Sequence, residues 1–405
     1  MLVRKILKYC SLFSFGISYT SVMESPHAVA KVCATEFNNP KTKNYFTNAK
    51  GNLIHFHYGY SNTKPAEAVC YFVHGYGGHT NGPVVQTMTK YLNEHKIAVF
   101  CMDFQGHGYS TGDRAYMTSY VDLTADLTQF VDLVLSDEEI VMLNDSVHSS
   151  NTDTGSSTTQ APDRHSPAVP ADMAHFEFDN TKGYSKEWLL GIRTLPFFML
   201  GQSMGGALLS VCANTIMDKY PDSFLGIAML APALTIGKPH WLVIEAMRYT
   251  VALLNSKGEM PSQKANNTLD FRNSVKDPSK IAMFEADTWG NPGALGYNRP
   301  MRWGTALFFL DLNTHAVKSF SSMRFPFLIL HDPEDKVCGV QGSRDMTRLA
   351  ATALEDKKLV EIPDGLHGLL TNDNDMILNH VLDWVQPRIA RVRVNAAKSD
   401  IATHR

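Results

Sequence analysis

Ser203 lies in a G-x-S-x-G pattern, which reads GQSMG at 201–205, directly behind an apolar run at 195–200. A serine on a sharp turn between a strand and a helix has its hydroxyl exposed for chemistry, an arrangement called a nucleophile elbow. Such a turn strains the serine backbone, and side chains two residues away on either side would collide. The pattern therefore predicts that Ser203 is a nucleophile that attacks a carbonyl carbon.

His367 is the candidate general base for this serine. A nucleophilic serine needs a base, and behind an elbow the chain order is serine, acid, histidine. His367 follows the apolar run at 359–363, and we expect Gly365 and Gly368 to let its imidazole swing toward Ser203. Because active sites of open parallel sheets lie at the carboxyl ends of the strands, these loops are expected to converge.

The carboxylate that orients the base has three candidates in one loop. Asp332, Glu334 and Asp335 all follow the apolar run at 325–331, which is another predicted strand. One of the two aspartates is expected to orient His367, and the other to cap the turn or the following helix. The residue types alone leave this choice open.

A glycine-rich turn supplies the candidate oxyanion hole. The apolar run at 69–73 is followed by HGYGG at 74–78, where the backbone can pass close to a ligand. We assign the two oxyanion donors to the backbone N–H groups of Tyr76 and Met204. A phosphate-binding turn is the alternative, but the Walker lysine and the G-x-G-x-x-G spacing are missing.

These motifs together resemble the monoglyceride lipase and lysophospholipase branch of the α/β-hydrolase superfamily. The resemblance covers about 45–386 and implies an α/β-hydrolase fold, a mostly parallel, doubly wound sheet with an inserted helical cap. The motifs that carry it are HGYG at 74–77, DFQGHGYS at 103–110, GQSMGG at 201–206, DKVC at 335–338 and LH at 366–367.

The resemblance also ranks the candidate site residues. The family's acid falls on Asp335, which favours Asp335 over Asp332. The family usually has a histidine before the elbow serine, where this chain has Gln202, and we expect this to alter local hydrogen bonding more than mechanism. The resemblance also implies a structural role for His107 beside the site. Cys338 falls where the family can hold a thiol near the substrate channel. The alternative is that Cys338 packs as a small, buried apolar side chain with no role at the site.

The activity that the resemblance implies is hydrolysis of a fatty acyl ester through an acyl-enzyme, with monoacylglycerol as substrate. Lysophospholipid and acyl thioester are alternative substrates. A proline-type aminopeptidase is a further alternative, which would need a cap carboxylate to bind a free amine. A hydrolase-like protein that binds lipid without catalysis would typically lack a member of the triad, whereas all three are present. The carboxylates available to a peptidase are Glu245, Glu259, Asp270, Asp277, Glu285 and Asp287.

A long connection separates the predicted strands at 227–231 and 325–330. A crossover between parallel strands needs only about a dozen residues, so we place the cap here, over Ser203. It is rich in methionine and aromatic residues, which suits an acyl chain because each buried methylene contributes roughly 0.8 kcal/mol. Transient contact of the cap with a membrane surface would follow from such a substrate.

The chain therefore divides into one large core and several attached segments. Residues 136–186 are polar and rich in serine and threonine, so they cannot offset the entropy cost of ordering. The predicted segments are an N-terminal extension at 1–40, the α/β-hydrolase core at 41–232 and 320–395, a disordered insertion within the core at 136–186, the helical cap at 233–319 and a C-terminal tail at 396–405.

Composition agrees with a large globular enzyme that uses no cofactor or metal. The 405 residues are 44% hydrophobic with a net charge of −3, which argues against nucleic acid as a partner. The six cysteines form no C-x-x-C pair, so neither a zinc site nor a disulfide framework is indicated. Cys70, Cys101 and Cys212 fall inside apolar runs and are predicted to be reduced core residues.

We predict a cytoplasmic protein with a disordered start. No stretch approaches the about 18 continuous apolar residues of a membrane span. The alternative is a signal or anchor, because basic residues at 4–8 precede a moderately apolar run, and AVA at 28–30 offers a cleavage site.

Overall fold

The computed structural model describes residues 45–60, 62, 64–135, 191–235, 248, 255–260 and 271–403. All of these residues belong to one compact unit, which spans 40–405. The predicted extension at 1–40 and the predicted insertion at 136–186 lie outside the described residues, as do parts of the predicted cap.

An eight-stranded sheet forms the centre of this unit, in the order β1-β2-β4-β3-β5-β6-β7-β8. The first strand pairs antiparallel with the second, and the second pairs antiparallel with the fourth; the other neighbours are parallel. The α/β-hydrolase fold is thus confirmed. The strands are β1 Tyr45–Thr47, β2 Leu53–Gly59, β3 Ala68–Val73, β4 Ile97–Met102, β5 Phe197–Gln202, β6 Phe224–Leu230, β7 Phe327–His331 and β8 Lys357–Glu361.

Helices cover both faces of the sheet. One apolar layer lies under α2, α3 and α5, and the other lies under α1 and α8. Because both faces are covered, β3, β4 and β6 are buried along their whole length. The helices are α1 Pro83–Glu94, α2 Tyr120–Leu135, α3 Met204–Lys219, α4 Pro278–Ala286, α5 Trp303–Ser319, α6 Gln341–Leu349, α7 Leu369–Asn372 and α8 Asn374–Thr403.

The strand order places the predicted site loops together. The chain runs outward from β3 to β4 and then returns past β3 to β5, so the order reverses between β3 and β5. Val73 at the end of β3 pairs with Gly201 near the end of β5, which aligns the carboxyl ends of these strands. In open α/β sheets, ligands bind in the crevice at this reversal point. The HGYGG turn and the serine elbow both leave the sheet there.

The described part of the predicted cap contains the helices α4 and α5 and a short 3₁₀ turn at Phe271–Asn273. Its last helix, α5, packs against α2 and α3 and buries Phe308 and Leu312 in the core. None of the helices within the described ranges has the length and apolar character needed to cross a bilayer.

Candidate active site

Ser203 stands between the end of β5 and the start of α3, with φ at 52°. This left-handed conformation is strained for a residue with a side chain and persists only when the surroundings hold it. The Ser203 N–H donates to the carbonyl of Leu230 at 2.9 Å, and its carbonyl accepts from the N–H of Ala233 at 3.0 Å. Neighbouring β6 thus holds the elbow in place.

The glycines around this serine are required by close backbone approach. A Cβ at Gly205 would lie 2.2 Å from the carbonyl oxygen of Val73, and one at Gly75 would lie 3.2 Å from the Ser203 Cβ. Real Cβ atoms do not tolerate the first distance. The first turn of α3 therefore packs directly on the end of β3, and the HGYGG turn lies against the serine.

The HGYGG turn is fixed by the buried side chain of His74. Its Nδ1 donates to the carbonyl of Gly75 at 2.7 Å, and its Nε2 accepts from the N–H of Phe104 at 3.1 Å. Burial lowers the pKa of His74, which keeps the ring neutral in this role. Tyr76 is the next residue of the turn. Met204 begins α3, so its N–H has no partner within the helix.

Asp335 and His367 form the central side-chain pair of the site. The carboxylate oxygen Oδ2 of Asp335 is hydrogen bonded to Nδ1 of His367 at 2.7 Å, and both residues are buried. The other oxygen of Asp335 accepts from the N–H groups of Val337 and Cys338 at 2.7 and 3.0 Å. These contacts fix the imidazole orientation and leave its Nε2 as the nitrogen that can exchange a proton.

His331 is a neighbour of this pair that the sequence did not reveal. Its Nε2 lies 3.3 Å from the Asp335 carboxylate and 2.8 Å from the carbonyl of Cys338. Burial alone would raise the pKa of Asp335, but hydrogen bonds from His331 and His367 hold it below its ordinary value. The carboxylate is therefore ionised at neutral pH. The only signal in the sequence was the position of His331 as the last residue of an apolar run.

Asp332 accepts hydrogen bonds from backbone N–H groups, one in its own loop and one in the loop of His367. Its carboxylate accepts from the N–H of Glu334 at 2.9 Å, which is the expected turn cap, and also from the N–H of Leu366 at 2.6 Å. Asp332 therefore holds the loop that carries His367, whereas Asp335 contacts the imidazole itself. Glu334 contributes its backbone N–H to this turn.

The glycines beside His367 lie close to neighbouring segments of the chain. A Cβ at Gly365 would lie 2.5 Å from a methyl group of Leu369, and one at Gly368 would lie 2.5 Å from the carbonyl oxygen of Ser274. The loop is closely packed at both positions, and the neighbour of Gly368 is backbone, so a side chain there would force the backbone to shift.

Two further residues near the site are buried and uncharged. The Cys338 thiol lies beside the Ser203 hydroxyl, and burial raises its pKa to about 12, so it stays protonated. Burial likewise lowers the pKa of His107 to about 3, and its Nδ1 contacts the carbonyl of Gln105 at 3.1 Å. The three cysteines predicted for the core, Cys70, Cys101 and Cys212, are buried.

The sequence of this chain matches a known hydrolase family. The sequence pattern of the hydrolase family described as serine aminopeptidase S33 matches residues 64–147 and 183–375. The chain belongs to this family. Within the part of the chain that the structure describes, this hydrolase has no group of three or more His, Cys, Asp or Glu side chains that could hold a metal ion.

Relatives of this S33-family hydrolase include several lipases. The monoglyceride lipase of Homo sapiens is 21% identical over 350 residues, which are 85% of this chain and 91% of that protein. The monoacylglycerol lipase of Mycolicibacterium smegmatis is 24% identical over 193 residues, 47% of this chain and 62% of that protein. A soluble variant of Saccharomyces cerevisiae monoglyceride lipase, solved with a substrate analog, superimposes with a TM-score of 0.56 at 16% identity, covering 86% of this chain and 95% of that one. The family match and these relatives support an ester hydrolase.

Proposed function

We propose that this chain is a serine hydrolase that cleaves fatty acyl esters, with monoacylglycerol as substrate and glycerol and a fatty acid as products. The observation that carries the proposal is the 2.7 Å bond between Asp335 and His367. The two residues lie in loops at the carboxyl ends of parallel strands, and the strained Ser203 elbow lies at the same end of the sheet. A buried, ionised carboxylate behind a histidine is what a serine needs in order to become a nucleophile at neutral pH.

The reaction proceeds in two halves. Ser203 Oγ forms a bond to the ester carbonyl carbon while the imidazole of His367 takes the hydroxyl proton, and the N–H groups of Tyr76 and Met204 stabilise the resulting oxyanion. The bond to the alcohol then breaks, and the alcohol leaves with the proton from His367. Water attacks the acyl-enzyme with the same proton transfers, which releases the fatty acid and restores Ser203.

An apolar substrate is supported by the surroundings of the HGYGG turn at 74–78, named here the oxyanion turn. The ring of Tyr76 packs edge-on against Phe309 at 5.6 Å and against Tyr297 at 6.0 Å between ring centroids. An acyl chain gains free energy from burial against such residues, roughly 25 cal/mol per Å² of apolar surface. The names of the human and yeast relatives point to the same substrate class.

An aminopeptidase activity is less well supported, although the family description mentions it. Several cap carboxylates that could bind a free amine are engaged by their own neighbours. Glu259 lies 2.8 Å from Arg299, and Asp287 lies 2.8 Å from Nε2 of His79. Asp277 accepts from the N–H of Ser279 at the start of α4. Glu285 is exposed on α4, and Glu245 and Asp270 lie outside the described residues.

A substrate competition with parallel active-site labelling tests the proposal. The substrates are monoacylglycerol, lysophosphatidylcholine, a long-chain acyl thioester and a proline anilide, and the label is a fluorophosphonate, with Ser203→Ala as control. We expect label on Ser203 and fastest cleavage of monoacylglycerol. Label on Ser203 with a different preferred substrate would overturn the substrate, and no label with no turnover would overturn the mechanism.

A further inference from the structure

We propose that residues 271–297, named here the clamp, position both halves of the catalytic machinery. One end of the clamp is hydrogen bonded to the loop that carries His367, named here the loop of the base, and the other end is hydrogen bonded to the oxyanion turn. The α4 helix joins the two ends. Residues that act through these bonds, above all Asn372 and His79, are then positioning residues for the reaction. This inference rests on the proposed function, because it assumes that the two loops do the chemistry assigned to them.

At the first end, Asn372 ties the clamp to the loop of the base. Its Nδ2 donates both to the carbonyl of Ser274 in the clamp and to the carbonyl of Gly365, each at 2.8 Å. Its Oδ1 accepts from the N–H of Lys276 at 2.9 Å. The N–H of Gly368, next to the base, donates directly to the same Ser274 carbonyl at 3.0 Å. One side chain thus uses both of its polar atoms to join the two segments.

Two lysines of the clamp add contacts to the same loop. Lys276 Nζ lies 2.8 Å from the Asp364 carboxylate, and Lys280 Nζ donates to the carbonyl of Thr371 at 2.5 Å. The pair with Asp364 is exposed and contributes little to stability. The backbone and Asn372 bonds therefore carry the attachment.

At the second end, the clamp is bonded to the oxyanion turn. The N–H of Tyr297 donates to the carbonyl of Gly77 at 2.8 Å, and a Cβ at Gly77 would lie 2.4 Å from the Tyr297 carbonyl oxygen. Buried His79, two residues further along the chain, is bonded through Nε2 to Asp287 at 2.8 Å. Gly77 directly follows the proposed oxyanion donor Tyr76, so this end of the clamp determines where that amide lies.

Asp287 gives the second end its rigidity. Its Oδ1 accepts from the N–H groups of Leu295 and Gly296 at 2.8 and 3.1 Å, while its Oδ2 faces His79. The same carboxylate therefore closes the turn after α4 and binds the oxyanion turn. Because α4 is a single helix of nine residues between the two ends, a shift of either end displaces the other.

The consequence is that Asn372 and His79 affect the same step although they lie in distant segments of the chain. A displacement of about 1 Å in a catalytic group can cost up to about a hundredfold in rate. Loss of either bond should therefore lower kcat while leaving KM for a small ester nearly unchanged. Once one end is released, releasing the other should add little.

The test is a double-mutant cycle with Asn372→Leu, His79→Leu and the double variant. Turnover is measured with p-nitrophenyl acetate, and the active fraction is counted by fluorophosphonate labelling. We expect each single variant to lower kcat about tenfold with KM within about twofold, and the double variant to lose far less than a hundredfold. His79→Gln should recover kcat to within about threefold of wild type, because the Gln amide can donate to Asp287.

A matched control lies on α3. Asn214 bridges in the same way, with Nδ2 to the carbonyl of Ser322 at 2.9 Å and Oδ1 to the N–H of Arg324 at 3.1 Å, but it lies about 15 Å along the helix from Met204. Asn214→Leu should leave kcat unchanged. If Asn372→Leu does not fold, Asn372→Asp replaces it in the cycle, because it keeps the acceptor for the N–H of Lys276 but turns the two Nδ2 donations into repulsion between a carboxylate and two carbonyl oxygens.

The proposal that the clamp positions both loops would be overturned by an unchanged kcat in both single variants. It would also be overturned by a double variant whose kcat falls about a hundredfold. Failure of the proposed function has a different signature, because wild type would then show neither label on Ser203 nor ester turnover.

Discussion

The N–H of Leu366 donates to the Asp332 carboxylate at 2.6 Å, one residue before the histidine that Asp335 contacts. Leu366 has φ at 55°, a conformation that is strained for a branched residue, and the bond to Asp332 helps to hold it. Two aspartates three residues apart thus serve one loop in different ways. One fixes the backbone before the imidazole, and the other fixes the imidazole itself.

The first prediction separates these two roles. Asp335→Asn should lower kcat by about 10⁴-fold, because an amide in this position favours the wrong tautomer of the base. Asp332→Asn should lower kcat by about tenfold or less, since the loop keeps its other bonds. Both variants are compared in ester turnover at pH 7.5. A larger loss in Asp332→Asn would move the acid three residues upstream.

The second prediction concerns the nucleophile. Ser203→Ala should reduce kcat by at least about 10³-fold and abolish fluorophosphonate labelling, with an unfolding midpoint close to that of wild type. Cys338→Ala is the neighbouring control, and it should keep kcat within about threefold because the thiol stays protonated. Substantial ester turnover by the serine variant would contradict the whole assignment.

The third prediction tests the packing that creates the elbow. Gly205→Ala places a methyl carbon 2.2 Å from the carbonyl oxygen of Val73, so the backbone must shift. We expect the free energy of unfolding in urea to fall by about 3 kcal/mol or more. Gly191→Ala, where no atom lies within 4 Å of the new carbon, should change it by less than about 1 kcal/mol. Equal stability of the two variants would show that the elbow can relax.

The fourth prediction concerns pH and a carboxylate on α2. Asp126 is buried and accepts from Nδ2 of Asn48 at 3.0 Å. Burial raises its pKa from 3.8 to about 6, against the opposing effect of the bond from Asn48. The folded state therefore holds this proton more tightly than the unfolded chain. The resulting stabilisation is complete below about pH 4 and is lost as the pH rises through about 6.

Asp126→Asn should remove that dependence. The variant should match wild type at pH 4 and exceed it by up to about 3 kcal/mol in the free energy of unfolding at pH 7.5. Urea unfolding at both pH values provides the measurement. A difference between the two proteins that does not change with pH would contradict the raised pKa.

The elements that position the site were predictable from the sequence because buried parallel strands are continuous apolar runs. The apolar runs at 69–73, 227–231 and 325–331 correspond to β3, β6 and β7. The observed strand bounds differ from the predicted ones where a property other than hydrophobicity sets the first residue of the strand. The strand before the elbow begins at Phe197 and not at Leu195, since Pro196 has no N–H for the ladder. The last strand begins at Lys357, two residues early, because an edge strand is half exposed and tolerates lysine.

Local patterns at the ends of strands identified the loops of Ser203, Asp335 and His367, and the resemblance carried by these motifs indicated the α/β-hydrolase fold. Which atoms meet depends on the tertiary structure. The contact of Asp335 with His367 joins residues 32 positions apart, and the bond from Asn372 to Ser274 joins residues 98 apart. Such contacts depend on loop backbone angles and on close packing at Gly368 and Gly77. Neither is encoded in a local pattern, because both result from how distant segments fit against each other.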